Sequence, residues 1–441
     1  MTECTSQFDL FSIGRRTVTA TLVSTPLTSD MGVIAIGRID RKHRVTDRLA
    51  EVLRDRRDEA KVQHSIVDLL RQRAYQIACG YEDATDANSL RYDAALQLAL
   101  GRIPADDAAL ASQPTLSRFE QRQHADLLRF SNALLDLWIE RILTRARRTR
   151  KRARIILDFD STDFVTYGDQ QFALFHGHYG NYIYYPLLVF DQFGWPVAAM
   201  LRPGRTRSGG VVALLVRIYR RLVERGVRFD MIVRADAGFS SPELYAMCET
   251  LGIRYVIGLI THAALVSKLE PTMRKARSIA RKNGTAKLIT DFTMRWGRRT
   301  PHDRRIIAKA EITSLGENPR FLITNMTEDP EKVYTFYTER GRCENHIKEL
   351  KNAMLGDRMS CHAFAANQFR LLVHVTAYIL MYLLREQLAD TSLANAQMDT
   401  IRLRLIKVAA VIRVTARRVW LEISADHPSA ALWPRLVPLL R

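Results

Sequence analysis

Cysteine is scarce in this chain. The five residues, Cys4, Cys79, Cys248, Cys343 and Cys361, are scattered and form no CxxC pair. That usage provides neither a disulfide scaffold nor a zinc ribbon, and it fits a reducing cytoplasm. Long apolar runs are also missing. The longest, residues 371–384, is interrupted by His374; it is too short to span a bilayer and reads as a buried helix. The opening residues Thr2, Glu3, Cys4, Thr5 and Ser6 lack the basic start and apolar core of a secretion signal. No internal repeat or low-complexity tract occurs. The Gly-containing stretch 202–210 lacks the GxxxxGK(S/T) order that cradles a nucleotide phosphate, which argues against a nucleotide cofactor.

Acidic residues are outnumbered. Against 47 Asp and Glu stand 66 Lys and Arg, a formal net charge of +19 in 441 residues. The commonest use of such an excess is an extended polyanion, because each phosphate neutralised by Lys or Arg releases a counterion; an acidic membrane surface is the alternative. Apolar residues make up 47% of the chain, enough for a substantial core, and at about 150 residues per domain the length suggests two to four units.

Residues 46–130 read as helical, with breaks near Gly80, at 101–104 and at 112–115. Thr115 could cap a helix over 115–127 that exposes Arg118, Arg122 and His124. Such a helix could read DNA or could simply be a solvated face. The stretch 141–154 holds eight basic residues, Arg141, Arg145, Arg147, Arg148, Arg150, Lys151, Arg152 and Arg154, and is either a solvated linker or a phosphate-contacting arm. The pattern then changes. Strands are expected at 154–160, 182–191, 195–201, 229–236 and 255–259, with helices over 210–225 and after Ser241-Pro242. This βββαβαβ order implies a mixed α/β sheet. Residues 261–330 contain three further strand-like runs, 287–296, 304–313 and 320–325, and read as a β-rich insertion. Residues 331–352 are strongly helical, and 400–420 reads as a basic amphipathic helix. The expected organisation is a mainly α-helical N-terminal region (1–150), a first core segment (151–260), the insertion (261–330), a second core segment (331–385) and a basic helical C-terminal region (386–441).

Phosphodiester chemistry needs a nucleophilic oxygen, charge relief at phosphorus and a stabilised leaving oxygen, all of which a pair of Mg²⁺ ions can supply. Mg²⁺ takes oxygen ligands, so the protein must offer converging carboxylates. Asp160 ends the first strand in the context Leu-Asp-Phe-Asp-Ser-Thr, and Asp236 ends the fourth in Arg-Ala-Asp-Ala-Gly-Phe. A lone Asp there would be an ordinary cap or turn former. Two of them, on strands that this order makes neighbours, suggest a crevice at the carboxyl edge of the sheet. In the following helix Tyr337, Arg340, Glu344 and Lys351 stand at i, i+3, i+7 and i+14, which places them on one helix face. One carboxylate among three donors suits a site holding metal and phosphates; a solvated face with charge pairs fits the pattern equally well.

The spacing Tyr337-x2-Arg340-x3-Glu344-x6-Lys351 resembles the YREK signature of the DDE transposases of bacterial insertion sequences, and the contexts of Asp160 and Asp236 are similar to that family's first two acids. The likeness is strongest from Arg154 to Lys351. It implies an RNase H-like core with a β-rich insertion before the Glu. Asp160, Asp236 and Glu344 would hold two Mg²⁺ ions, with Mn²⁺ able to substitute. Tyr337, Arg340 and Lys351 would hold phosphates. The implied function is Mg²⁺-dependent cleavage and strand transfer in cut-and-paste transposition. The substrates would be double-stranded DNA, namely the terminal inverted repeats and the target, and a homodimer would bring two ends together. An RNase H-like nuclease or resolvase and a domesticated, non-catalytic DNA-binding protein are the alternatives.

Other candidates have plainer explanations. Asp158 and Asp163 rival the acids above but fall outside the matched pattern. His176 and His178 lack a third ligand nearby in sequence and suggest an exposed turn. Cys343 is turned about 100° from Glu344 on a helix, so packing suits it better than nucleophilic chemistry. Arg205 and Arg207 could touch DNA. Trp296, Arg298 and Arg299 could stack on or steer an unpaired base, or form a hairpin turn.

Overall fold

A computed structural model describes residues 7–23, 25–104, 106–206, 209–295 and 302–440. Arg207, Trp296, Arg298 and Arg299 lie outside the described residues, as do the side chains of Arg122 and His124. Eight strands form the spine of one sheet: β1 (Ala153–Ser161), β2 (Leu187–Asp191), β3 (Pro196–Met200), β4 (Phe229–Ala235), β5 (Arg254–Leu259), β6 (Ala286–Met294), β7 (Arg304–Thr313) and β8 (Arg320–Thr324). Their spatial order is β6-β7-β8-β5-β4-β1-β2-β3. At the centre β1, β4 and β5 run parallel, and β2 and β3 continue antiparallel from β1. The order β3-β2-β1-β4-β5, with these directions, is that of an RNase H-like core.

The strands form here because β1, β4 and β5 carry runs such as Ile155-Ile156-Leu157 and Met231-Ile232-Val233 that are buried on both faces, as parallel strands covered by helices must be. The flanking helices are α1 (Leu127–Thr149), α2 (Val211–Glu224), α3 (Pro242–Thr250), α4 (Ala263–Asn283), α5 (Pro330–Thr338), α6 (Gly341–Lys348) and α7 (Phe364–Gln387). Every residue from Phe369 to Leu384 in α7 is buried, so the apolar run that is too short for a membrane serves as the core helix. Among the described residues no helix is long and apolar enough to cross a membrane.

Several expectations need correction. The strand expected over 182–191 is two. Asn181–Tyr184 belongs to a small separate sheet with Phe164–Val165 and Leu174–His176, while β2 begins at Leu187. Pro186 lies between them, where the missing N–H cannot feed a ladder. The stretch 261–330 opens with the 21-residue helix α4, and its strands join the core sheet through antiparallel pairing of β5 with β8. The N-terminal region begins with an exposed hairpin, Gln7–Ile13 with Arg16–Thr21. The helix near Thr115 starts earlier, spanning Gln113–Arg122, with Pro114 in its first turn, where a missing N–H costs nothing. The basic helix expected over 400–420 is absent: a short helical segment ends at Ile406, and Ala410–Val414 pairs with Val419–Ile423. Ala410–Val414 also pairs with Leu27–Thr28 near the other end of the chain. Arg402 is not a surface cation but reaches the carbonyls of Ala78 and Ala353 and pairs with Asp399.

Helix α7 carries a pH-sensitive group. The buried His374 donates from Nδ1 to the Met354 carbonyl at 2.6 Å. Burial, reinforced by Arg370 and Arg73, pushes its pKa down to about 3, so it is neutral when folded. The unfolded imidazole protonates near pH 6.5. Its contribution is therefore complete above that pH and is lost progressively as pH falls from about 6.5 towards 3. At pH 5 the loss is about 2 kcal/mol. We expect a thermal midpoint several degrees lower at pH 5 than at pH 7.5, and a flatter profile over that interval for His374→Gln. An equal slope in both proteins would remove His374 from the account.

Candidate functional site

Asp160 lies at the carboxyl end of β1 and Asp236 immediately follows β4. In the parallel register Ala235 stands beside Phe159, so the next residue of each strand, Asp236 and Asp160, sits side by side, with strands about 4.8 Å apart. Asp160 is buried. Burial raises its pKa to about 6 despite Arg340, and the neighbouring Asp236 charge adds to the rise. Asp236 also caps the short turn Ala237–Phe239 by accepting from the Gly238 N–H at 2.9 Å, and this fixes its carboxylate.

Asp158 has a different task. Arg234 on β4 donates to both of its oxygens, at 2.7 and 2.8 Å, and both residues are buried. This fork-to-fork pair locks the two strands that carry the aspartates. Asp158 is thereby occupied, even though it shares a strand face with Asp160.

The helix that carries Glu344 is not continuous. Helix α5 ends at Thr338 and α6 starts at Gly341, with i→i+3 bonds from Arg340 N to Tyr337 O and from Cys343 N to Arg340 O between them. A π-turn, Glu349–Ala353, follows and holds Lys351. The single-face argument for all four residues therefore fails: a tight turn and a π-turn each reset the 3.6-residue phase. Three of the four still converge. Arg340 donates to Asp160 at 2.7 Å and to Glu344 at 3.3 Å. The Tyr337 hydroxyl lies over Gly258 of β5 and its pKa is raised, first by burial and also by Asp236. Lys351 is elsewhere, bonded to the Asp163 carbonyl at 2.8 Å and its carboxylate at 3.1 Å. That pair closes the loop after β1 and gives Asp163 a partner.

Helix α6 is aimed by its neighbours. His346 stacks on Phe190 of β2 at 5.8 Å and lies against Gly194 in the β2–β3 turn, where a Cβ would fall 2.4 Å from the ring. Glu349 pairs with Arg385 of α7 at 2.8 Å. Cys343 is buried in the core, and burial holds its thiol well above the usual range, as expected of a packing residue. Glu344 itself is exposed. Gly258 supplies the close approach: a Cβ there would sit 2.9 Å from both the Ala237 amide and the Tyr337 hydroxyl. Gly258→Ala should therefore displace Asp236 and Tyr337. Were the chain to cleave DNA as the resemblance implies, cleavage should fall at least tenfold, with a stability loss of only about 1–3 kcal/mol. Unchanged cleavage would show that this contact does not set the geometry.

Two features escaped sequence reasoning. Arg202 is buried behind the site, donating to Ser161 Oγ at 2.7 Å, the Tyr185 carbonyl at 3.0 Å and the Gly209 carbonyl at 3.1 Å. Tyr179, Tyr185 and half-buried His176 cluster beside it: the His176 ring stacks on Tyr185 at 5.9 Å, and the Asp160 and Asp236 charges raise both tyrosines further after burial. The density of aromatics after His176-Gly-His178 was the available signal. Arg205 donates to the Phe175 carbonyl at 3.0 Å. His178 is exposed, and among the described residues no group of three His, Cys, Asp or Glu stands close enough to hold a metal ion. The carboxylate set is oxygen-only, as Mg²⁺ requires, but Arg340 lies between Asp160 and Glu344.

Two solved structures match at low similarity. A cryo-EM structure of the piggyBac transposase synaptic complex with hairpin DNA matches with a TM-score of 0.42 and 10% identity, covering 87% of this chain and 83% of that one. A crystal structure of a pre-cleavage Mos1 transpososome matches with a TM-score of 0.17 and 11% identity, covering 70% and 83%. Among curated proteins, none matches the sequence. The sequence profile described as "Transposase DDE domain group 1" matches residues 11–441. The chain therefore belongs to the DDE transposase domain group 1 family.

Proposed function

We propose that this protein is a cut-and-paste transposase of the YREK branch. It would bind the terminal inverted repeats of a bacterial insertion sequence and catalyse Mg²⁺-dependent cleavage and strand transfer. The observation that carries this reading is the placement of Asp160 and Asp236 on neighbouring parallel strands, with Arg340 joining Asp160 to Glu344. Asp160, Asp236 and Glu344 would hold Mg²⁺, which when bound supplies an activated water and charge relief at phosphorus. Their oxygen-only donor set suits a hard cation; Glu344, held apart from Asp160 by Arg340, would have to move in to complete it.

The chain's own residues do the rest. Burial keeps bulk water from Asp160. Arg340 pairs with Asp160 and Glu344, and its planar fork suits a phosphate. Because it holds two carboxylates, it is placed to exchange one of them for a phosphate oxygen as DNA arrives. Tyr337 offers a hydroxyl beside Asp236. Lys351, through Asp163, fixes the loop after β1 and would reach a phosphate only by leaving that pair. The helical part of residues 1–150 would bind the end sequence, and a homodimer would bring two ends together.

The test uses a labelled duplex carrying the element's own terminus, with Mg²⁺. Nicking confined to the terminus supports the reading. Cutting of any duplex without regard to the terminus replaces it with a nuclease. Binding without cutting replaces it with a DNA-binding relic.

A further inference from the structure

The basic run 141–154 has a definite place in the fold. Its helical part ends α1, whose last residue, Thr149, precedes Arg150 in a left-handed conformation at φ 56°. The chain then reverses into β1. Between the end of α1, the start of β1 and the β2–β3 turn lies a cavity of about 500 Å³ whose lining includes Arg145, Arg148, Arg152, Arg154 and Phe193. Little negative charge opposes these cations. Asp191 in the wall is buried and accepts from the Trp138 indole and the Phe193 and Trp195 amides. Arg152 pairs with exposed Asp230 at 3.1 Å, and Arg145 pairs at longer range with Glu386, at 3.7 Å, which Arg141 also holds, at 2.6 Å. Arg148 makes no ion pair among the described residues. The Arg145 guanidinium is 4.1 Å from the centre of the half-exposed Phe193 ring, a contact that holds the cation without neutralising it.

We propose that this groove is a second DNA-contact surface, one that grips the duplex backbone away from the scissile phosphate. It rests on the reading of the protein as a DNA-acting enzyme. Several guanidinium groups along one groove match a row of phosphates in charge and in donor geometry. Strand β1 runs from Ala153 to Ser161. At about 3.3 Å per residue the groove lies roughly 20 Å from Asp160, at the opposite edge of the sheet. One phosphate cannot serve both places, so the groove contributes affinity and orientation rather than chemistry.

The test is the salt dependence of binding to a labelled duplex of unrelated sequence, in EDTA, between about 50 and 200 mM salt. The full-length chain is compared with the triple variant Arg145→Ala, Arg148→Ala, Arg152→Ala. Each lost phosphate contact lowers the slope of log K against log salt by about 0.9, so the expected slope falls by two to three. The triple Lys variant should restore most of it. An unchanged slope with an unchanged thermal midpoint overturns the proposal. So does loss of binding to anionic phosphatidylserine vesicles with the DNA slope intact, which would make the groove a membrane surface. Because no metal is present, the result is independent of cleavage. A wild type that never nicks but shows the slope change keeps the groove and loses the transposase reading.

Discussion

Glu344→Gln should leave DNA binding within about twofold of wild type and lower cleavage by roughly a thousandfold. Gln keeps the size of Glu and removes its charge. If Glu344 helps hold a cation that offsets charge at phosphorus, several kcal/mol of transition-state stabilisation go with it, at about tenfold per 1.36 kcal/mol. The fold should be untouched, because Glu344 is exposed and its one polar partner among the described residues, Arg340, remains bonded to Asp160. Asp160→Asn and Asp236→Asn should lose as much. The check is single-turnover cleavage alongside a binding isotherm for each variant. A variant that cuts within tenfold of wild type would take that acid out of the site.

Glu120→Ala should be strongly destabilising although it lies outside the site. Glu120 is buried and accepts from Arg73 at 2.6 Å and from Arg370 at 2.7 Å. Burial by itself would raise its pKa, but Arg370 and Arg73 outweigh burial and hold the carboxyl below its usual range. Arg73 lies on Ile66–Cys79, Glu120 on Gln113–Arg122 and Arg370 on α7. The triad therefore fastens the N-terminal helices to the helix that also anchors the Glu344 segment. Removing the carboxylate leaves two buried guanidinium groups facing each other, at a cost of about 3–5 kcal/mol. The thermal midpoint should fall by about 5 °C or more. A fall within 1 °C would mean that the carbonyls of Tyr81 and Glu82, which Arg73 also reaches, suffice without the acid.

The parts of this architecture that could be read from the sequence are those set by local periodicity. The strand over Arg304–Thr313 coincides with its sequence assignment, and β1, β4 and β5 lie within a residue or so of theirs, because β-branched runs bounded by Gly or Asp specify strands locally. What was misread depends on distant partners. Residues 400–420 show helical spacing, yet Val411, Ile412, Val414 and Val419 suit a strand once Leu27–Thr28 is there to pair with. No local window contains that partner. The Tyr337-Arg340-Glu344-Lys351 spacing divides the same way. Arg340 meets Asp160 and Tyr337 lies beside Asp236, while Glu344 joins them only through Arg340, by way of a tight turn rather than one helix face. Lys351 is carried away to Asp163 by a π-turn that spacing does not announce. Asp158 shares a strand face with Asp160 but falls outside the matched pattern, and the register of β1 against β4 gives it Arg234 as its partner.

In the proposed reaction Asp160, Asp236 and Glu344 place a divalent cation against the scissile phosphate. The most direct test puts sulfur in place of a non-bridging oxygen of that phosphate in the terminus duplex. Mg²⁺ prefers oxygen, whereas softer Mn²⁺ tolerates sulfur. The account predicts that one sulfur diastereomer blocks wild-type cleavage in Mg²⁺ and that Mn²⁺ restores it, with no restoration in Asp236→Asn. Equal cleavage of both diastereomers in Mg²⁺, or cleavage that persists in EDTA, would contradict it.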